Sequence, residues 1–293
     1  VLPKFGTDDQ KRLFLPQLAT GQCLTTMVLT EPQAGSDLRQ IRCKAIPDNV
    51  GVWRLSGEKI FISNGDQDAS SQIAHLVLVR TSDDGLKGLS LAIASAQLEN
   101  DQRNSITVER VEHKMGIKAS PTCQHVFNQA RAEIIGEPGQ GLRLMFEMMN
   151  HARLDVALQG VAHASKVRKL TRSYAAERSQ CGTAIENHPG VAKKLERIET
   201  LEIASRAIAH FALIQLEKGE KDELASFLTP LAKVFCSEAG FEAAQLGMNV
   251  LGGYGYLEEY EISQNLRDAK ITQIYEGTSE VQRIVISRAI LQD

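Results

Sequence analysis

The hydrophobic pattern of this chain changes period at Gly136-Glu137-Pro138-Gly139-Gln140-Gly141, and that break separates what can be sheet from what can be helix. Before it, residues 24–29, 52–55, 60–62, 76–79 and 89–93 form short apolar or alternating runs. Turn signals at Asp48-Asn49-Val50-Gly51, Asn64-Gly65 and Asp83-Asp84-Gly85 bound them. Short strands at this spacing, with no long helical pattern between them, predict an antiparallel β-barrel or sandwich over residues 21–135. After the break, Met145, Met149, Ala152 and Val156 recur at helical spacing. Val191, Leu195, Ile198 and Leu201 repeat the pattern, as do Phe227, Leu231, Val234 and Phe241. Breakers fall at Asn187-His188-Pro189-Gly190, at Glu217-Lys218-Gly219 and at the Gly252/Gly253/Gly255 cluster, and a last helix is expected over residues 279–291. Four amphipathic helices with short connections predict a C-terminal four-helix bundle over residues 136–293. The fold class is therefore α+β and multidomain.

At the N-terminus, Thr7 stands before Asp8, Asp9 and an apolar set at Leu13, Leu15 and Leu18, which predicts a short capped helix within residues 1–20. A chain of 293 residues with 43% apolar content can bury a sizeable core in one large or two smaller domains. A net charge of -3 offers no basic footprint for nucleic acid. Runs such as Leu76-Val77-Leu78-Val79 are too short to span a bilayer, and no charged-then-apolar leader opens the chain. Five dispersed cysteines, with no Cys-x-x-Cys pair, fit a reducing, cytoplasmic setting and argue against a disulfide framework. The seven histidines are dispersed too, so no metal site is expected. Gly252-Gly253-Tyr254-Gly255 follows a helix rather than a strand, so it is no dinucleotide fingerprint.

Glu276, within Ile274-Tyr275-Glu276-Gly277-Thr278, has two readings. Followed by Thr278, Ser279 and an apolar helix, it suits an ordinary helix-entry carboxylate. Set between apolar neighbours, it also suits a general base, because burial lifts a carboxyl from its free value of about 4.3 toward neutrality. The segment Thr30-Glu31-Pro32-Gln33-Ala34-Gly35-Ser36-Asp37 reads either as a polar turn after a strand or as a ligand loop whose amides face an anion. Phe61, on a strand, would ordinarily be core.

Leu251-Gly252-Gly253-Tyr254-Gly255-Tyr256, Arg267-Asp268-Ala269-Lys270 and the Glu276 segment occur in that order. With Leu29-Thr30-Glu31-Pro32-Gln33-Ala34-Gly35-Ser36-Asp37 and Phe61-Ile62-Ser63-Asn64-Gly65 upstream, they resemble the acyl-CoA dehydrogenase family. These are FAD enzymes that oxidise the α,β bond of acyl-CoA thioesters. Met148-Met149-Asn150-His151-Ala152-Arg153-Leu154 and Glu112-His113-Lys114-Met115-Gly116-Ile117 are most similar to the branch containing 3-methylmercaptopropionyl-CoA dehydrogenases. The resemblance runs from Lys4 to Leu291. It implies that residues 1–20 are the end of an N-terminal helical domain, so that the chain is a fragment or a partner supplies the rest.

By the same resemblance Glu276 is the base for the α-proton, and its amide, with a ribityl hydroxyl of FAD, holds the thioester oxygen. Leu29, Thr30, Gly35, Ser36, Phe61, Ser63, Arg178, Gln180, Asn249, Gly253, Thr278 and Glu280 fall on FAD-contacting positions. Ser36, Asn150, Arg153 and Gly277 fall on the substrate side. Some family members place the base just before the Arg of the first bundle helix; Ala152 stands there, which favours Glu276. The chain departs from the pattern at Phe61, where many members have Trp, and at Asn249, a shortened Gln. Cys181 and Pro189 stand where the medium-chain branch has Phe and Gln. Arg178, matching a residue that reaches a neighbour's FAD, implies a homodimer or homotetramer. The implied electron acceptor is an electron-transfer flavoprotein, in fatty-acid β-oxidation. Two other readings share these residues: an incomplete, non-catalytic subunit of a heteromeric dehydrogenase, and an acyl-CoA oxidase.

Overall fold

The computed structural model describes residues 1–99, 102–218 and 223–291. Gly219 of the expected Glu217-Lys218-Gly219 break, and positions 292 and 293, lie outside them. The chain forms two compact units, Val1–Lys114 with Lys118–Met148 and Met115–Ile117 with Met149–Asp293.

In the first unit, α1 (Leu2–Phe5) and α2 (Asp8–Thr20) precede seven strands. These are β1 (Cys23–Val28), β2 (Lys44–Pro47), β3 (Trp53–Ser63), β4 (Gln72–Arg80), β5 (Leu89–Ser95), β6 (Ile106–Val111) and β7 (Thr122–Ile135). Thr7 caps α2 as its sequence predicts. Its hydroxyl accepts from the Gln10 amide at 3.2 Å while Gln10 Oε1 accepts from the Thr7 amide at 3.1 Å. Buried Gln10 also donates to Glu133 Oε2 (3.0 Å) and to the Ile134 carbonyl (3.1 Å), which anchors the helix on β7.

The strands form one sheet in the order β1-β4-β2-β3-β7-β5, with β6 on β7 and β5 paired back onto β4. The sheet is mixed rather than wholly antiparallel: β1 and β2 lie parallel to β4, and the other pairs are antiparallel. Parallel neighbours need a crossover, which turn signals between successive strands do not report. Lys44↔Arg80 is the register pair that joins β2 to β4. Val28, Leu55, Ile62, Val77, Val79, Ile106 and Phe127 pack inside it. Sequence reads two runs where β3 is one strand, because Ser56-Gly57-Glu58-Lys59 stays extended by pairing with β7. It reads nothing at β7 itself, whose polar residues alternate with buried ones on a half-exposed strand.

In the second unit the long helices are α3 (Gly141–Glu177, whose first turns belong to the first unit), α4 (Pro189–Lys218) and α5 (Glu223–Leu251). A hairpin of β8 (Ser179–Gln180) and β9 (Thr183–Ala184) links the first two. Then come α6 (Glu261–Lys270), too short and polar for the sequence pattern to reveal, and α7 (Ser279–Leu291), where a last helix is expected. Ala164, Val167, Leu195, Ile198, Ala243 and Ile262 form one core; Leu154, Ala157, Val161, Ala209 and Leu228 form another. Helices α3 and α5 approach at Gly160 and Gly240: a Cβ on Gly160 would stand 2.1 Å from the Cys236 carbonyl oxygen. No helix among the described residues is long and apolar enough to cross a membrane.

Candidate active site

Glu276 lies on the short link between α6 and α7. A 3-10 turn, Ile271–Gln273, ends α6, and the amides of Ile274 and Tyr275 return to the Ile271 carbonyl at 2.8 and 3.1 Å. Glu276 (φ 55°) and Gly277 (φ 87°) then both adopt the left-handed conformation. Glycine takes that region freely, whereas a glutamate held there is strained and signals a constraint worth explaining. Thr278, not Glu276, caps α7: its hydroxyl accepts from the Val281 amide at 3.3 Å and its carbonyl from the Gln282 amide at 2.9 Å. The helix-entry reading of the Glu276 side chain therefore fails.

The carboxyl of Glu276 is sheltered, and its Oε2 has no hydrogen-bond partner among the described residues. Burial raises its proton affinity; the charges of Arg153 and Lys233 pull it down, Asp155 pushes it up, and the balance is upward. Arg153 on α3 is 6% exposed and its guanidinium donates to Asn150 Oδ1 at 3.1 Å, so two expected substrate-side residues meet here. Beside Glu276, Tyr275 donates its hydroxyl to Gln159 of α3, and burial pushes that phenol up to about 12. The Glu276 amide donates to no backbone carbonyl among the described residues, which leaves it available to an acceptor from outside. Lys233, Gln282 and Gln159 are the residues that sequence reasoning misses. Lys233 had a signal, a lone charge inside Leu231-Ala232-Lys233-Val234-Phe235.

A second group assembles at the C-terminal end of α5. Arg178, Gln180, Gly252, Gly253, Tyr254 and Tyr174 line an open groove of about 540 Å³. Arg178 is exposed and its guanidinium lies 5.7 Å from the centre of the Tyr254 ring. Asn249 is exposed near the end of α5 and does not line the groove. Glu280 is exposed on α7, its carboxyl held low by its own amide and by the Thr278 hydroxyl.

In the first unit, the loop after β1 is tied to β3. Glu31 and Lys59, both buried, pair at 2.9 Å. Glu31 also accepts from the amides of Arg42 (2.7 Å) and Cys43 (3.0 Å), and Lys59 donates to the Leu29 carbonyl at 2.9 Å. The Thr30 carbonyl accepts from the Ile60 amide at 2.9 Å. This leaves Gly35 and Ser36 exposed on the loop, with Phe61 and Ser63 exposed on the adjoining strand. Phe61 is 60% exposed with φ 60°, at a register shift of β3 against β7. An aromatic forced out of a strand at a bulge is a presented surface, not core packing.

Residues 26–130 match the acyl-CoA dehydrogenase middle domain, and residues 139–291 the acyl-CoA dehydrogenase C-terminal domain. Over 314 residues the chain is 41% identical to 3-methylmercaptopropionyl-CoA dehydrogenase of Ruegeria pomeroyi, spanning 98% of this chain and 53% of that protein. It is 34% identical to an acyl-CoA dehydrogenase of Bacillus subtilis, over 98% of this chain and 73% of that one. The fold superposes on butyryl-CoA dehydrogenase from Megasphaera elsdenii with a TM-score of 0.90 and 30% identity, covering 99% of this chain and 74% of that one. With both domains matched along nearly its whole length, the chain belongs to the acyl-CoA dehydrogenase family of FAD-dependent oxidoreductases.

Proposed function

We propose that this chain catalyses the α,β-dehydrogenation of an acyl-CoA thioester to the trans-2-enoyl-CoA, with Glu276 as the base. The observation that carries the reading is the Glu276 carboxyl: sheltered, raised in proton affinity, and with one oxygen unpartnered among the described residues. That is the state a base needs, since an oxygen already bonded to a donor takes a proton less readily. Glu276 removes the α-proton. As negative charge moves to the thioester oxygen, the unspent Glu276 amide donates to it, and the cations Arg153 and Lys233 hold the electrostatic balance of the pocket.

No side chain accepts a hydride, and bound FAD supplies that acceptor for the β-carbon. The residues present fit the cofactor. Arg178, Gln180 and Gly253, which line the groove, would hold its phosphate and adenine parts, as a guanidinium fork beside glycines suits a pyrophosphate. Asn249, outside the groove lining, joins them by the resemblance alone. Leu29, Thr30, Gly35, Ser36, Phe61 and Ser63 would hold the flavin, with Thr278 and Glu280 completing the set. Ser36, Asn150, Arg153 and Gly277 would take the thioester side. Arg178 on an open groove supports a homodimer or homotetramer in which it serves a neighbour's cofactor. Electron-transfer flavoprotein is the proposed acceptor, and five free cysteines suit a cytoplasmic setting.

The test is a flavin-reduction screen of the FAD-loaded protein across acyl-CoA esters under anaerobic conditions. Bleaching by at least one ester, abolished in Glu276→Gln, is the expected result. A Glu276→Gln variant reduced at the wild-type rate, or a well-folded protein that retains no flavin, would overturn it.

A further inference from the structure

Lys233 stands in the middle of α5 with none of its surface exposed, and its Nζ donates to the Gly277 carbonyl at 2.8 Å. Lysine is almost never fully buried unless it is paired or hydrogen-bonded. Gln282 of α7, also wholly buried, donates to the Glu276 carbonyl at 3.0 Å and to the Gly277 carbonyl at 3.4 Å. Both carbonyls of the left-handed pair are thus held by side chains from two helices. A strained backbone persists only where its surroundings over-determine it, and these contacts do so. The Lys233 hydrogen bond goes to the carbonyl beside the base, and the carboxylate oxygen Oε2 stays unpartnered among the described residues.

Resting on the reading of Glu276 as the base, we propose that Lys233 is its positioning residue: it clamps the Glu276–Gly277 turn and places a fixed positive charge beside the carboxylate without bonding to it. Around Lys233 the charged groups are Glu276 on the turn, Arg153 on α3, Glu238 on α5 and Glu280 on α7. Around Glu276 they are Arg153 and Asp155 on α3 and Lys233 on α5. Burial and Arg153 bring Lys233 down to about 8 against the pull of the three carboxylates. Its charge is therefore present at neutral pH and lost in mild alkali.

The experiment is a carboxyl-carbon NMR titration of the purified chain, with Glu276 assigned by its disappearance in Glu276→Gln. In the wild type the Glu276 resonance should show a second inflection near pH 8, as Lys233 loses its proton. In Lys233→Met that inflection vanishes and the Glu276 midpoint rises by about 1 unit or more. Lys233→Gln, which keeps a donor but no charge, should show the same loss of inflection with a smaller change in the backbone shifts of Glu276 and Gly277. A wild-type resonance without the inflection sinks the proposal with no variant needed, as does an unmoved midpoint in a folded Lys233→Met. The readout uses neither flavin nor thioester. Coupling seen by NMR alongside undiminished flavin reduction in Glu276→Gln would sink the base assignment instead.

Discussion

Glu276 is carried in an environment that the unfolded chain does not share. Because its folded proton affinity is raised, chiefly by burial, the ionised form is disfavoured by folding. The sign follows: the penalty is absent below the free value of about 4.3 and grows as pH rises through the folded value. Glu276→Gln should therefore melt higher than wild type at pH 7, with the difference shrinking toward about pH 4, while flavin reduction is lost. Thermal melts across that range measure it. Gly277 answers to sterics instead. A Cβ there would stand 2.2 Å from Gln282 Nε2, on a residue at φ 87°. Gly277→Ala should lower stability in urea by about 1–3 kcal/mol and displace the Glu276 turn. A Gly277→Ala protein of wild-type stability and activity would contradict the clamp.

At the scale of elements, two crossings decide where the site residues stand. The loop after β1 is held by a buried ion pair, so removing one partner strands the other. Glu31→Ala should cost about 3–5 kcal/mol, and replacing both Glu31 and Lys59 by apolar residues should cost less than the sum. Burial alone would raise Glu31, but Lys59 and the amides of Arg42 and Cys43 outweigh it and hold the carboxyl low. Its contribution is present above the free carboxyl value and is lost as pH falls through the folded one, which denaturant titrations of wild type and Glu31→Gln at acid pH would show. Between α3 and α5, Gly160→Ala would gain about 1 kcal/mol in helix propensity. Its Cβ would meet the Cys236 carbonyl at 2.1 Å, a backbone atom that cannot swing aside. The clash, worth about 1–3 kcal/mol, should win in a melting experiment.

Across the whole molecule, Arg178 offers the cleanest separation of binding from stability. It is exposed, and its contact is the Tyr254 ring. Arg178→Ala should leave the apo melting temperature almost unmoved, within about 0.5 kcal/mol, while FAD retention on gel filtration falls. Sequence alone determined where sheet gives way to helix, the cap at Thr7 and the last helix. Each of these is written in local periodicity or in one short motif, which neighbours in the chain suffice to specify. The polar strand β7 and the parallel placement of β1 on β4 were illegible because their pairing partners lie far away in sequence, and helix α6 because it is short and polar. Pairing with a distant strand also explains why Phe61 read as core although a bulge turns it outward, and no reading of the sequence singled out Lys233. Only the tertiary structure brought that lysine and Gln282 onto the carbonyls of the Glu276 turn. A charge becomes a device for tuning its neighbour when packing strips away the water around both, and no local pattern records that event.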